Sequence, residues 1–344
     1  MNCFTEECGV ILITTSDYYP QIGGLTSFTS NIVKVLDELS YSYDIFHWKN
    51  FHEIQNYDES NFNKYDLIIN IHPMFCWMKN SGQEKMINFI HGSEILMTSP
   101  NLIKRIIKKI NKNNFYKKLE LAKFNFFISA FTKNKIESLG YKLNYSRDIV
   151  FHNCIDVSKA SKKNVFEKKD LNLICVARNV PHKNIDGAVK LAELLASLTG
   201  KRVKLTLSPG VKKVSQYIEI TNLADFTDET RSKAYEESDF NLLLSLDHSA
   251  SGFFEGYGLT ILEAAIYGTP SIVLDSGGLP EAVHHLINGY VINEISIDAL
   301  KPMLPILEIN QYKKMSEAAY EHATANHSLY FYEKLIKRIV ENIK

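Results

Sequence analysis

The sequence of 344 residues lacks the features that define several common classes of protein. Its five cysteines include no Cys-x-x-Cys pair, and their odd number does not suit a disulfide framework or a zinc site. Basic and acidic residues are equal in number, 39 of each, so the whole molecule carries no excess charge for nucleic acid. The apolar run at residues 10–13 has the length of a strand and is far too short to cross a membrane. We therefore expect a globular protein with reduced thiols that binds no nucleic acid.

The first residues and the cysteines also predict a location. Glu6 and Glu7 stand where a secretory signal would carry basic residues. Reduced cysteines are typical of the cytosol. We expect a cytoplasmic protein that can approach the inner face of the plasma membrane without crossing it.

The chain reads as two series of alternating strands and helices. Its length exceeds one typical core, so two domains are expected. In the predicted N-terminal domain, residues 1–158, strands are indicated at 9–15, 43–48, 67–71, 87–90, 124–129 and 149–151, and helices at 25–39, 102–121 and 132–139. In the predicted C-terminal domain, residues 171–327, strands are indicated at 171–177, 203–207, 218–221, 240–244 and 271–274, and a helix at 185–198.

Two further segments complete this organisation. Residues 159–170 (KASKKNVFEKKD) are polar and lysine-rich, which predicts a linker. A last helix is predicted at 330–343, within the C-terminal segment 328–344. The alternation predicts an α/β fold with two Rossmann-like domains that face each other across a cleft.

Residues 252–263 (GFFEGYGLTILE) combine two carboxylates with a glycine-rich turn. Gly256 and Gly258 allow unusual turns and a close approach of the backbone to a ligand. Glu255 and Glu263 flank this turn and can accept hydrogen bonds from hydroxyl groups. The helix that follows begins near Leu259 and Thr260, and its unpaired N–H groups suit a phosphate. A ligand that carries both phosphate and hydroxyl groups, such as a sugar nucleotide, fits this pattern.

The spacing Glu-x7-Glu within residues 253–283 (FFEGYGLTILEAAIYGTPSIVLDSGGLPEAV) resembles the signature of retaining glycosyltransferases with the GT-B fold, family 4 in particular. Three other segments resemble this family in the same order, namely 18–28 (YYPQIGGLTSF), 91–94 (HGSE) and 177–184 (ARNVPHKN). The resemblance implies transfer of a sugar from a nucleotide diphosphate donor to a hydroxyl, with retention of configuration and with no separate cofactor. It also implies that the C-terminal helix crosses back to the N-terminal domain.

Arg178 and Lys183 lie beyond a predicted strand, on either side of Pro181. A departing diphosphate gains negative charge, which fixed cations stabilise. Arginine binds phosphate oxygens with a planar fork and lysine acts as a point charge. Two solvated surface cations are the alternative, and the resemblance favours the diphosphate role. No two aspartates are separated by a single residue, so the Asp-x-Asp metal site of many glycosyltransferases is missing. We therefore expect no metal site and a metal-independent enzyme.

The resemblance also assigns roles to the carboxylates and to residues of the N-terminal domain. Glu255 is expected to bind the donor sugar and Glu263 the ribose hydroxyls. Gly23 and Gly24 are expected to contact donor phosphate or to leave space for it. His91, at the end of a predicted strand, is expected near the reacting centre. His72 is the alternative site histidine. The expected catalytic set is thus His91, Arg178, Lys183 and Glu255.

Two other segments depart from the family pattern or only shape the site. Residues 152–156 (HNCID) stand where the family has Pro-Asn-Gly-Val-Asp, so we interpret them as the entry to a hinge. Residues 276–281 (SGGLPE) are expected to shape the cleft.

A strongly basic segment interrupts the neutral chain at residues 101–123. It contains eight lysines and arginines and one acid, Glu120. Leu102 and four isoleucines recur in it at helical spacing, listed in full as Leu102, Ile103, Ile106, Ile107 and Ile110. Such a basic amphipathic helix can lie on an anionic membrane through residues 102–123. Alternatively, it packs its isoleucines inward and leaves a solvated basic face.

The resemblance thus implies a retaining glycosyltransferase that uses a UDP or GDP sugar. The expected acceptor is a glycan or a lipid-linked molecule in surface polysaccharide or glycolipid synthesis. Two alternatives are a GT-B nucleotide-sugar epimerase and a catalytically silent nucleotide-sugar-binding partner subunit. The intact residues Arg178, Lys183, Glu255 and Glu263 argue against the silent alternative.

Overall fold

The computed structural model describes residues 10–19, 23–165 and 169–343. Several positions discussed above lie outside these residues: two of the five cysteines (Cys3 and Cys8), Glu6 and Glu7, residue 9 of the first predicted strand, residues 20–22 of the segment 18–28, residues 166–168 of the predicted linker, and residue 344. Contacts divide the chain into two units. The first unit comprises the chain up to Cys154, residues Ser249–Gly252 and the chain from Leu329 onwards. The second unit comprises Ile155–His248 and Phe253–Ser328.

The first unit contains a sheet of six parallel strands. These strands are β1 Ile11–Thr15, β2 Tyr43–His47, β3 Leu67–Asn70, β4 Met86–Ile90, β5 Phe124–Phe127 and β6 Asp148–Val150. Their order across the sheet is β2-β1-β3-β4-β5-β6. The helices between them are α1 Gly24–Glu38, α2 Phe51–Asn56, α3 Met74–Met78, α4 Leu102–Leu121 and α5 Ala130–Ser138.

The second unit contains another sheet of six parallel strands. These are β7 Asp170–Cys175, β8 Arg202–Leu207, β9 Glu219–Asn222, β10 Phe240–Leu243, β11 Ser271–Leu274 and β12 Gly289–Ile292, in the order β12-β11-β10-β7-β8-β9. Its helices are α6 Ile185–Thr199, α7 Asp228–Glu237, α8 Leu259–Ala265, α9 Leu279–Ala282, α10 Ile297–Leu300 and α11 Ile309–Asn326. This is the strand order of a Rossmann fold, in which the order reverses between β7 and β10.

The last helix, α12 Tyr330–Glu341, belongs to the first unit. Its Tyr332 and Ile336 are fully buried in the same apolar cluster as Phe28 of α1. The Tyr332 hydroxyl also accepts a hydrogen bond from the Cys154 N–H at 3.0 Å. The expected return of the C-terminal helix to the N-terminal domain is therefore confirmed.

A row of buried polar side chains crosses the first sheet. Thr14 donates to Asn70 at 2.7 Å, and Asn70, Asn88 and Asn125 each donate to the next member at 2.8 Å, ending at Asp148. Successive strands β1, β3, β4, β5 and β6 supply one residue each, and all five residues are fully buried. Each link satisfies a polar group that burial would otherwise leave unpaired, so the row fixes the strands against one another.

The α/β class is confirmed, and the predicted elements appear with ends shifted by at most two residues within the described chain. Asp170, placed at the end of the predicted linker, is the first residue of β7. Strand β12 and helices α2, α3, α7, α9, α10 and α11 were not predicted. In α7 the only buried residue is Tyr235, so this helix has no apolar periodicity that the sequence could reveal.

Within the described residues, no helix combines the length and apolarity that crossing a membrane requires.

We predict that Asn88→Ala destabilises the first unit strongly. The substitution leaves the Asn70 amide and the Asn125 oxygen buried without their partner. At about 1–3 kcal/mol for each unsatisfied group, the free energy of unfolding should fall by about 3 kcal/mol. Urea denaturation measures this change.

The matched control for this variant is Asn113→Ala on the exposed face of α4. Its effect should stay within about 0.5 kcal/mol. Equal effects of the two substitutions would contradict the role of the polar row.

Candidate functional site

The candidate site of the second unit lies where its strand order reverses. In open α/β sheets, ligands bind at the carboxyl ends of the strands beside such a reversal. Strand β7 ends at Cys175 and is followed by Arg178 and Lys183, while β10 ends at Leu243 and is followed by Ser245 and Glu255. Both pairs of residues thus leave the sheet at the same edge.

Lys183 and Glu255 form an ion pair at this edge. The Lys183 ammonium donates a hydrogen bond to Glu255 Oε2, and the Ser245 hydroxyl donates to the same oxygen at 3.1 Å. The two charged side chains are only 17% and 14% exposed. The structure therefore brings together two residues that the sequence places in the site, across 72 positions of chain.

Burial, the charge of Lys183 and hydrogen bonding compete in setting the pKa of Glu255. Burial is the largest influence and raises the pKa, but the charge of Lys183 and the hydrogen bonds from Lys183 and Ser245 outweigh it. The net result is a pKa below the ordinary value of 4.5, so Glu255 is ionised at neutral pH.

The backbone after Pro181 positions Lys183. Residues Pro181–Lys183 form one 3₁₀ turn, and Asn184 follows with a left-handed backbone at φ 52°. The Asn184 side chain caps α6 by accepting from Gly187 N–H at 3.1 Å and also donates to the Leu244 carbonyl at 3.1 Å. This asparagine therefore ties the loop after β7 to the segment after β10.

Arg178 is exposed, and no described residue forms an ion pair with it. Its neighbour His182 stacks on Phe253, with the ring planes 2° apart and the centroids 5.0 Å apart. Burial, with the charges of Lys183 and Arg178, lowers the pKa of His182. Arg178 thus offers a free guanidinium, and beside it lies an uncharged aromatic stack.

Two glycines allow the chain to pack closely around Glu255. Gly258 precedes α8 with φ 92°, and a Cβ there would lie 2.6 Å from a methyl carbon of Leu243. Gly277 has φ 62°, and a Cβ there would lie 2.4 Å from the Glu255 carbonyl oxygen. That oxygen accepts the Gly278 N–H at 2.9 Å. Glycine at 258 and 277 is therefore required by both conformation and space.

Glu263 lies one turn into α8 and is not free. The Tyr235 hydroxyl donates to its Oε2 at 3.2 Å, and Arg231 lies 3.9 Å from its Oε1. Glu263 and Arg231 are each 18% exposed. Thr260, in the first turn of the same helix, has a buried hydroxyl without a partner among the described residues.

The predicted residues of the first unit also lie together. Gly23 is the N-cap of α1 and Gly24 its first residue, so no side chain of the N-cap residue caps that end. Phe28 of the same helix meets the His91 ring edge to face, with centroids 4.5 Å apart. His91 follows β4 directly. The glycine turn and His91 therefore belong to one region of the first unit.

His91 is partly buried and uncharged. Burial, helped by the neighbouring His72, lowers its pKa to about 3, against a smaller opposing effect of the Ile71 carbonyl. Its Nε2 is buried without a hydrogen-bond partner among the described residues. The alternative His72 has a pKa lowered to about 4 by burial and by Lys108, and its Nδ1 already accepts the Met74 N–H. A neutral imidazole with an open nitrogen is the feature that distinguishes His91.

Sequence reasoning missed four residues of these regions: Ser245, Arg231, Tyr235 and Glu94. Arg231 and Tyr235 are four positions apart on α7, a spacing that shares a helix face, but α7 itself was not predicted. Glu94 accepts the His91 N–H and so holds the turn after β4. Its burial raises the pKa of that carboxyl, against the hydrogen bonds from its own turn.

We predict that Lys183→Ala lowers stability at neutral pH and that the loss shrinks as the pH falls. The wild-type carboxylate of Glu255 stabilises the fold above its ordinary pKa, and this contribution is lost as pH falls through the lower folded pKa. Without Lys183, burial raises the pKa of Glu255 and reverses the sign. The free energy of unfolding should fall by about 3 kcal/mol near pH 7. The urea curves of the two proteins should converge as the pH falls below the lowered folded pKa of Glu255.

Lys162→Ala is the matched control, because Lys162 pairs with Glu317 where both side chains are more than 40% exposed. That pair should contribute no more than about 1 kcal/mol. A loss of stability in Lys183→Ala that does not vary with pH would show that Lys183 does not set the ionisation of Glu255.

Comparison with known proteins adds a family match for part of the chain. The sequence model described as Glycosyl transferases group 1 matches residues 156–322, which is just under half of the chain. No curated protein sequence matches it.

Solved structures match nearly the whole chain. HepE of Anabaena, in complex with UDP and glucose, has 13% identity and a TM-score of 0.69, and the match covers 97% of this chain and 100% of the HepE chain. Sucrose-phosphate synthase of Thermosynechococcus elongatus has 11% identity and a TM-score of 0.73, with 97% and 99% covered. WaaG, a glycosyltransferase involved in lipopolysaccharide biosynthesis, has 14% identity and a TM-score of 0.65, with 96% and 99% covered. The chain therefore has the GT-B fold, and its second unit carries the match to glycosyl transferases group 1.

Proposed function

We propose that the protein transfers a sugar from a nucleoside diphosphate donor, UDP or GDP, to a hydroxyl of a glycan or lipid-linked acceptor. The observation that carries this proposal is the buried pair of Lys183 and Glu255 beside the glycine-rich turn. A cation for phosphate and a carboxylate for sugar hydroxyls are side by side there. The match of residues 156–322 to glycosyl transferases group 1 supports the same class of reaction.

Donor binding is proposed to exchange the partners of this pair. The diphosphate would compete for the charge of Lys183 and so release Glu255 to accept hydroxyls of the donor sugar. Arg178, which is exposed and has no ion pair among the described residues, would close on the phosphate oxygens. Negative charge grows on the diphosphate as the sugar leaves, so both cations would act mainly on the transition state.

The other predicted donor contacts lie in the same two units. Glu263 would accept ribose hydroxyls, since a carboxylate has lone pairs to spare beyond those used by Tyr235 and Arg231. The turn of Gly256 and Gly258 and the N–H groups of Leu259 and Thr260 would face phosphate. In the first unit, Gly23, Gly24 and the open nitrogen of His91 would serve the donor phosphate and sugar.

We propose the retaining, metal-independent chemistry of family 4. Attack of the acceptor on the face that the diphosphate leaves would preserve the anomeric configuration. The departing diphosphate would take the acceptor's proton, so no residue has to form a covalent bond to the sugar. Because His91 is neutral at physiological pH, it would act there as a hydrogen-bonding group and not as a cation.

The setting is proposed to be surface polysaccharide or glycolipid synthesis, lipopolysaccharide included, at the inner face of the plasma membrane. The fold similarity to WaaG supports that setting. The basic segment 102–123 would face the anionic membrane surface.

The direct test is donor turnover with and without acceptor, in excess EDTA. Retaining transfer predicts that a UDP or GDP sugar is consumed with acceptor, that the product keeps the donor's anomeric configuration by NMR, and that EDTA changes nothing. Acceptor-independent epimerisation would show an epimerase, and no turnover of any sugar nucleotide despite binding would show a silent subunit. Activity that EDTA abolishes and Mn²⁺ restores would overturn metal independence.

We also predict that Arg178→Ala and Lys183→Ala lower kcat more than they raise the Kd of the donor. Contacts that strengthen toward the transition state contribute about 2.7–4 kcal/mol, so each rate should fall by about 10²–10³. Stopped assays well below the melting temperature measure the rates, and calorimetry measures donor binding.

Lys190→Ala, on the exposed face of α6, is the control with the same change of charge and should match the wild type. Arg178→Ala is the cleaner of the two site variants because its side chain carries no ion pair in the described chain. Wild-type kcat in both site variants would place the diphosphate elsewhere.

A further inference from the structure

Helix α4 consists of two halves with opposite surroundings. In its second half Phe115, Tyr116 and Leu119 are buried against the first unit. In its first half no residue is buried. The exposed fractions of the apolar side chains there are 64% for Leu102, 69% for Ile103, 51% for Ile106, 50% for Ile107 and 76% for Ile110. The inward-packed alternative for these isoleucines is therefore wrong.

The apolar side chains point away from the protein. With about 100° of rotation per residue, the five apolar positions span an arc of about 140°. The three buried residues of the second half are centred on the opposite side of the helix, roughly 180° from the middle of that arc. Since one helix face packs on the unit, the isoleucine stripe has to face outward.

The cations of the inner side hold this orientation. Arg105 donates to the Ser99 carbonyl at 2.9 Å, and Lys108 donates to the Thr98 carbonyl at 3.1 Å. Asn101 caps the helix by accepting the Lys104 N–H at 3.0 Å. Lys108 is also close enough to partly buried Glu94 to influence its ionisation. The first half of α4 is thus fixed to the loop that follows His91.

Three other cations border the apolar stripe. Lys104 and Lys109 flank it on its two sides, and Lys117 continues its line about two turns beyond Ile110; all three are exposed. Beyond Ile110 the outward face turns polar, with Asn113 and Asn114. The apolar stripe is therefore short, about 12 Å along the helix, and is enclosed by positive charge.

This pattern of charge selects one kind of partner. A contiguous exposed apolar stripe marks a surface that binds something. A second copy of the chain would bring like charges together, whereas an anionic lipid surface accepts both the isoleucines and the lysines.

We propose that residues 102–110 lie in the interface of an anionic membrane. The five apolar side chains enter the boundary between headgroups and acyl chains, and Lys104, Lys109 and Lys117 contact anionic headgroups. This goes further than the proposed membrane contact of 102–123, because it assigns Arg105 and Lys108 to holding the helix and not to binding lipid. It rests on the proposed function only in its consequence, that a lipid-linked acceptor is brought close to the loop after His91.

The first test removes the apolar contacts. Sedimentation with vesicles of phosphatidylcholine mixed with phosphatidylglycerol should show binding of the wild type and little binding to phosphatidylcholine alone. The triple variant Ile103→Gln, Ile106→Gln and Ile110→Gln keeps good helix formers and should bind at least tenfold more weakly. The control is Val214→Gln with Tyr217→Gln, two apolar residues of the second unit that are 93% and 68% exposed; it should bind as the wild type does.

The second test removes the charges. Lys104→Gln, Lys109→Gln and Lys117→Gln together should weaken binding about a hundredfold, from about 1 kcal/mol for each cation near an anionic surface. The matched control removes three exposed lysines of the second unit, Lys190→Gln, Lys313→Gln and Lys314→Gln. Added salt should weaken the wild type in the same way as the first set.

Three results would overturn the proposal: no vesicle binding by the wild type, equal losses in the variants and their controls, or a dimer in light scattering that the isoleucine variant abolishes. Turnover of a soluble acceptor should be the same in all variants. If no protein turns over a donor while the vesicle results hold, the proposed function fails and the membrane surface stands.

Discussion

The ion pair of Lys183 and Glu255 is the interaction on which the candidate site depends. Each residue arrives from a loop beyond a different strand, and neither would tolerate its low exposure alone, because a buried charge without a partner is strongly disfavoured. The pair therefore fixes both loops, and Asn184 and Ser245 add further hydrogen bonds, to the Leu244 carbonyl and to the Glu255 carboxylate. An ion pair of this kind is also exchangeable. A diphosphate can replace the carboxylate at Lys183, and sugar hydroxyls can replace the ammonium at Glu255, so the resting structure holds both groups in place without filling their binding capacity.

The sheets make this joint possible. In the second unit, β7 and β10 are neighbours in the sheet, although 64 residues lie between the end of β7 and the start of β10. Because the two strands are parallel, the loops that follow them begin at the same edge of the sheet. The loops must then approach closely, which explains why Gly258 and Gly277 have left-handed backbones where a Cβ would overlap Leu243 and the Glu255 carbonyl. In the first unit the same edge carries His91 and the start of α1. There the polar row from Thr14 to Asp148 fixes the strands, so that the loops above them begin from defined positions.

Local sequence pattern predicted the strands and helices because buried parallel strands are short β-branched runs and the longer helices have apolar spacing. It also indicated Glu255, Glu263, Arg178 and Lys183, since glycine turns and charges stand out in an apolar context. It could not predict the partners. Arg231 and Tyr235 belong to α7, a helix whose surface is almost wholly polar, and the pairing of Asn70 with Asn88 depends on strand register that no local pattern records. The side of α4 that packs inward was undecided for the same reason. Its apolar stripe looks like a core face, and only Phe115, Tyr116 and Leu119 reveal which side the protein occupies.

The distribution of charge links these features. The chain has no net charge, but its cations lie in two different physical environments. Lys183 is nearly buried and paired, so its charge is strong, local and insensitive to salt, which suits a charge that must act on one ligand at one distance. The outward cations of α4, Lys104, Lys109 and Lys117, are exposed to solvent. Their attraction therefore extends over about a Debye length and depends on salt, which suits a surface that must find an extended anionic partner. Lys108 lies between these cases: it is half-buried, burial lowers its pKa, and Glu94 opposes that effect. Lys108 joins the outward helix to the loop after His91 through the Thr98 carbonyl, and its charge also acts on Glu94, which accepts the His91 N–H.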